Sequence, residues 1–100
     1  SGDNSLTVEI SDFHNLARFN SLNSSNAAEL GYSSGSYSLS EKESRRQLII
    51  NGDDGDQFTV LGAYWSSRGT ITKGDDEFRV YHSSTGIEQL IVNQNIDLIL

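Results

Sequence analysis

Three aspartates stand between two apolar runs in the stretch Leu48–Leu61, which reads LIINGDDGDQFTVL. Asp53, Asp54 and Asp56 offer carboxylates on one short turn, and Gly52 and Gly55 free the backbone to present carbonyls beside them. That is ligand chemistry suited to calcium, a hard cation that gathers several oxygen donors. The same residues equally suit a plain polar turn, whose aspartates accept hydrogen bonds from neighbouring amides. The stretch is not an EF-hand, because no glutamate stands at the twelfth loop position. Nor is it a β-roll array, since no glycine-rich nonapeptide recurs in tandem. A second acidic turn, Gly74-Asp75-Asp76-Glu77, reads first as hairpin punctuation with glycine at positive φ. Asp75 and Asp76 would complete a cation site only if the two turns meet.

Other chemistry is sparse. His14 and His82 are the only histidines, and neither belongs to a zinc-binding spacing. Serines are too abundant for one to signal a nucleophile, and no G-x-S-x-G elbow occurs. The expectation is a non-enzymatic domain. Tyr64-Trp65 is an aromatic pair able to stack on sugar rings, whereas the competing reading has Trp65 capping the core.

The elements that must position these residues read as strands. Leu6, Val8 and Ile10 alternate with polar residues, and Ser11-Asp12 then precedes Phe13, Leu16 and Ala17 at helical spacing. This predicts one short helix near residues 12–19. The serine-rich stretch from Ser21 to Ser44 is expected to gain strand character at Tyr37–Ser40. Gln47–Ile50 and Phe58–Leu61 read as strands flanking the aspartate turn, and Thr70–Lys73 with Glu77–His82 as a hairpin through Gly74. Ile87–Val92 and Ile96–Leu100 complete the series. Leu90, Ile91 and Val92 are consecutive, as in a strand covered on both faces. Short, regularly spaced strands predict a mostly-β chain, an antiparallel β-sandwich or curled sheet, forming one domain over residues 1–100.

The formal charge of -7, from 7 basic and 14 acidic residues, disfavours nucleic acid and anionic membranes as partners. No apolar run is long enough to span a bilayer as a helix. Cysteine is absent, which suits a protein exported unfolded through a one-step channel, where a disulfide would obstruct passage.

Over residues 47–100 the order of motifs resembles a segment of very large RTX-type repeat adhesins, bacterial proteins exported by type I secretion. The matching positions are Asn51-Gly52-Asp53-Asp54-Gly55-Asp56, Trp65, Gly69-Thr70, Phe78-Arg79-Val80-Tyr81 and Leu90-Ile91-Val92. Residues 1–46 match less well, and Arg45-Arg46 departs from the small polar residues usual there. The resemblance implies an extracellular module on a bacterial surface or in a biofilm matrix, stiffened by calcium and serving as spacer or ligand-presenting domain. Its partners would be neighbouring modules of the same chain, and a host or matrix glycan or peptide. Two alternatives stay open: a glycan- or peptide-recognition domain, and a C-terminal part bearing its export signal. The second arises because Asp97-Leu98-Ile99-Leu100, an acid before three apolar residues, resembles the extreme C-terminus of some type I-secreted proteases and lipases.

Overall fold

The computed structural model describes residues 4–9, 22, 25–39, 46–84 and 88–100. Its strands are β1 (Ser5–Glu9), β2 (Tyr32–Ser34), β3 (Arg46–Ile50) and β4 (Gln57–Leu61), followed by β5 (Trp65–Lys73), β6 (Asp76–Ser83), β7 (Glu88–Asn93) and β8 (Asp97–Ile99). One four-residue helix, α1 (Ala27–Leu30), precedes β2 and ends at Gly31 in the left-handed conformation. The protein is therefore mostly β, as the alternation predicts. The helix expected near residues 12–19 lies outside the described residues.

The strands form two sheets, ordered β1-β4-β8 and β2-β5-β6-β7-β3. Between them lies a core of Phe58, Val60, Leu90, Val92 and Ile96, with Val8, Leu48, Ile50, Trp65, Tyr81 and Leu98 packed around it. The far face of the larger sheet carries a second core, in which Ile71, Phe78, Val80 and Ile91 meet Leu22 and Ala27. β7 separates the two cores, so Leu90 and Val92 serve one and Ile91 the other. All six of its residues are buried, as the unbroken apolar run implies.

Pairing differs from the antiparallel expectation in one instructive way. β5–β6 and β6–β7 are antiparallel, and the two-residue Gly74-Asp75 hairpin forms, with Gly74 at φ 61°. The smaller sheet, however, is parallel throughout, and β3 runs parallel to β7. The cause is the aspartate turn. Leu48 and Ile50 on one side of it, and Phe58 and Val60 on the other, bury in the same core from opposite layers. The turn thus carries the chain across the sandwich, so β3 pairs with β7 while β4 pairs with β1 and β8. Alternation reports which side chains face inward, but not the direction of the neighbouring strand.

The strand expected at Tyr37–Ser40 is displaced to Tyr32–Ser34, which pairs with the end of β5. After Ser34 the chain bends around Thr70, whose carbonyl accepts from both Gly35 N (3.1 Å) and Tyr37 N (3.0 Å). A Cβ on Gly35 would lie 2.5 Å from that same oxygen, so the approach requires glycine. Tyr37 and Leu39 pack on the second core instead of extending a strand, while Ser40 lies outside the described residues. No helix among the described residues is long and apolar enough to cross a membrane.

Candidate functional site

Two strand–turn–strand units, β3–β4 and β7–β8, lie one upon the other in register. Gln47, Leu48 and Ile49 pair with Gln89, Leu90 and Ile91, and Ile50 pairs with Val92. The segments are copies of one pattern, x-Gln-Leu-Ile-(Ile/Val)-Asn, so like residues stack on like. Gln47 Nε2 donates to Gln89 Oε1 at 2.6 Å, and Asn93 Nδ2 donates to Asn51 Oδ1 at 2.8 Å. Such amide ladders are characteristic of parallel in-register stacks. Each asparagine also holds its own turn, Asn51 Oδ1 accepting from Gly52 N and Asn93 Oδ1 from Asn95 N.

β1 adds half of a third level. Ser5 is in register with Gln57, and Gln57 with Asp97, so Asn4, Asp56 and Ile96 precede equivalent strands. The backbone links these levels: Gln57 N donates to Asn4 O (2.8 Å) and Asp97 N to Asp56 O (2.9 Å). The repeat at residues 46–51 and 88–93 is legible in the sequence, but apolar periodicity alone does not isolate it. The signal that finds it is identity at Gln, Leu, Ile and Asn, separated by one constant spacing.

The acidic turn hangs from this stack. Asp56 is its structural member: Oδ2 accepts from Asp53 N (3.1 Å), and Oδ1 from Asn4 N (3.1 Å) and Asn4 Nδ2 (3.4 Å). Gly52 packs tightly above it, since a Cβ there would lie 2.6 Å from Asp56 Oδ2. Gly55 takes φ 96° to close the turn. Asp53 and Asp54 are exposed. Asp75 and Asp76 are exposed on the β5–β6 hairpin. The structure does not gather the two turns into one set of ligands: among the described residues, no three acidic or imidazole side chains converge in a metal-holding group.

The amide donors hold the Asp56 carboxyl below the ordinary carboxylate range, the Asp53 N–H contributing most and Asn4 N–H next. Folding therefore favours ionised Asp56. Its stabilising contribution is present above the unfolded-state value and is lost as pH falls through the depressed folded one. Asp56→Asn should lower the melting temperature near neutral pH, and the gap from wild type should narrow in strong acid. Melting curves of the two proteins across that range check this; a gap independent of pH would contradict it.

The aromatic pair is divided by the fold. Trp65 opens β5 and packs against the inter-sheet core, whereas Tyr64 is 86% exposed. Tyr64 is the exposed ring of the two and stands beside Gly62, Ala63 and Ser84 at a shallow hollow.

A polar chain runs across the outer face of the larger sheet. Arg68 Nε contacts His82 Nδ1 (3.3 Å), and His82 Nε2 lies 2.9 Å from Gln89 Nε2. Gln89 also reaches the Tyr37 hydroxyl (3.0 Å), while Gln47 bonds the backbone of Leu22 through both its amide atoms. His82 is 6% exposed and sits edge-on to the Tyr37 ring. The sequence marks His82 only as a residue at a strand end; its role is to join this network.

Comparison with protein-family models, with curated proteins and with solved structures finds no match to this chain.

Proposed function

We propose that this chain is a non-enzymatic structural module of a large extracellular bacterial adhesin, acting as spacer or ligand-presenting domain and stabilised by calcium. The observation that carries the reading is the in-register stack of β3–β4 on β7–β8, tied by the Gln47–Gln89 and Asn51–Asn93 amide bonds. Stacked units of this kind contact only their neighbours, and they extend by adding further levels. The motif order over residues 47–100 and the net charge of -7 agree with an extracellular repeat protein that binds cations. The exposed Asp53 and Asp54 carboxylates, beside a preformed glycine turn, supply the oxygen donors calcium would use.

Two copies joined head to tail provide the test. With millimolar calcium, small-angle scattering should show an elongated particle with a fixed inter-module distance. Independent tumbling of the copies in calcium would contradict the spacer reading. Calcium bound selectively to the folded state at about a hundredfold excess over Kd would add about 2.7 kcal/mol. The melting temperature of one copy should rise accordingly and fall back with chelator, and Asp53→Asn combined with Asp54→Asn should abolish the rise. Identical curves with calcium and with chelator would remove calcium from the account.

A further inference from the structure

We infer that Asn51 is a self-modification site, at which the backbone nitrogen of Gly52 attacks the Asn51 side-chain amide and converts it, through a succinimide, to aspartate or isoaspartate. Neither the spacer reading nor calcium enters this reaction.

Asn51-Gly52 is the one Asn-Gly pair in the sequence. Glycine offers the least hindered backbone nitrogen, because no Cβ screens it. The fold also keeps glycine there, since a Cβ on Gly52 would lie 2.6 Å from Asp56 Oδ2 and 3.2 Å from Ile96 Cδ1. The Asn51 side chain is folded onto this nitrogen, Oδ1 accepting from Gly52 N at 3.0 Å. A backbone N–H only donates, so the amide oxygen faces it and not the amide nitrogen. The ring closed by this bond already contains every atom of the succinimide: Gly52 N and the carbonyl C, Cα, Cβ and Cγ of Asn51. Holding the reacting groups together in this way removes much of the entropic part of the barrier.

A second contact activates the same carbonyl. Asn93 Nδ2 donates to Asn51 Oδ1 at 2.8 Å, and negative charge develops on that oxygen when Cγ is attacked. A fixed donor aimed at it stabilises the tetrahedral intermediate, as in an oxyanion hole. Both bonds end on Oδ1, which leaves the departing Nδ2 group unheld by either, and Asn51 is exposed to water. Gly52 N gives its proton to hydroxide and bonds to Cγ, and the Cγ–Nδ2 bond breaks to release ammonia. Water then opens the succinimide at Cγ, giving aspartate, or at the Asn51 backbone carbonyl, giving isoaspartate. The net reaction consumes one water, releases one ammonia and needs no other reactant.

The repeat supplies an internal control. Asn93 holds the equivalent rung at the end of β7, yet Gln94 follows it and it is only 2% exposed. Its Oδ1 accepts from Asn95 N, two residues on, at 2.9 Å. The same residue type in the same ladder therefore lacks the closed ring, the unhindered nitrogen and the water. Aspartate at position 51 preserves the ladder, because a carboxylate oxygen accepts from Gly52 N and Asn93 Nδ2 as the amide oxygen does. Isoaspartate adds a methylene to the main chain and shifts the turn away from that rung. Either product adds a carboxylate to the turn that carries Asp53, Asp54 and Asp56.

The test incubates the whole chain at mildly alkaline pH, quenches samples in acid and cleaves them with trypsin. Fragment 47–68 contains Asn51 and no other asparagine, so the mass gain of amide-to-acid conversion in it reports this site alone once fragmentation places it. Asn51 should convert before any other asparagine of the chain, and no more slowly than in a synthetic peptide of residues 47–68, which has neither the fixed ring nor the Asn93 donor. Asn93→Asp is isosteric and keeps the acceptor for Asn95 N, but it replaces the donor by a negative charge beside Oδ1. In a protein that still melts cooperatively it should slow conversion several-fold. Slower conversion in the folded chain than in the peptide overturns the inference, as does prior conversion at another asparagine. An Asn93→Asp protein that melts cooperatively and converts as fast as the parent overturns it too; should that variant fail to fold, the peptide comparison decides.

Discussion

Deleting Ile96 to Leu100 should abolish the cooperative thermal transition. Ile96 is 3% exposed within the inter-sheet core, and Leu98 packs against the same cluster. Burying an aliphatic side chain contributes about 1.5–3 kcal/mol, so the two together approach the lower end of a typical domain's margin of about 5–15 kcal/mol. Further losses accompany them. Arg79 Nη2 donates to Ile96 O (3.1 Å), Asp97 N donates to Asp56 O (2.9 Å), and β8 is the sole partner of β4 on that side. Removal would uncover Phe58, itself 1% exposed and in register with Leu98. Leu100 contributes less than its alternation implies, being 48% exposed. A detachable export signal would leave the fold intact when removed. A truncated protein that melts cooperatively near the parent temperature would therefore refute the docked-strand account and favour the signal.

Gln89→Ala should cost about 3 kcal/mol, more than its polar character suggests. Gln89 is 1% exposed and joins Gln47, the Tyr37 hydroxyl and the His82 ring. Truncation leaves each of those groups short of a partner in a site closed to bulk water. A buried polar group left unsatisfied costs about 1–3 kcal/mol, and partial compensation by Leu22 at Gln47 trims the sum. Urea unfolding should report a lower midpoint with an unchanged slope. A shift within the roughly 0.5 kcal/mol of an ordinary surface substitution would show that the glutamine ladder does not hold the two units together.

Much of this architecture is legible in the sequence, and the illegible part has a definite cause. Strands at Leu6, Phe58, Phe78 and Leu98 are set by local alternation, those at Leu48 and Leu90 by consecutive apolar runs, and the Gly74 hairpin by local turn chemistry. The destination of each strand is set by which layers share a core. Ile50 and Phe58 flank a short polar turn and so imitate a hairpin, although the turn spans the sandwich. Tyr37 suits a strand by residue type, but the bend imposed by Gly35 against Thr70 overrides that preference. At the candidate site, three aspartates on a glycine turn are plain in the sequence. That Asp56 holds the turn while Asp53 and Asp54 stay exposed is decided by Asn4, some fifty residues earlier, which no local pattern connects to it. The repeated Gln-Leu-Ile was present throughout as identity between distant segments, not as periodicity.

The parallel, in-register stacking of β3 on β7 is tested most directly by backbone nuclear Overhauser contacts in the isotopically labelled protein. Parallel stacking predicts contacts linking Leu48 with Leu90 and Ile50 with Val92, together with slow amide exchange along β7. Contacts linking Ile50 with Phe58 or Leu48 with Val60, the signature of an antiparallel hairpin closed by the aspartate turn, would contradict it.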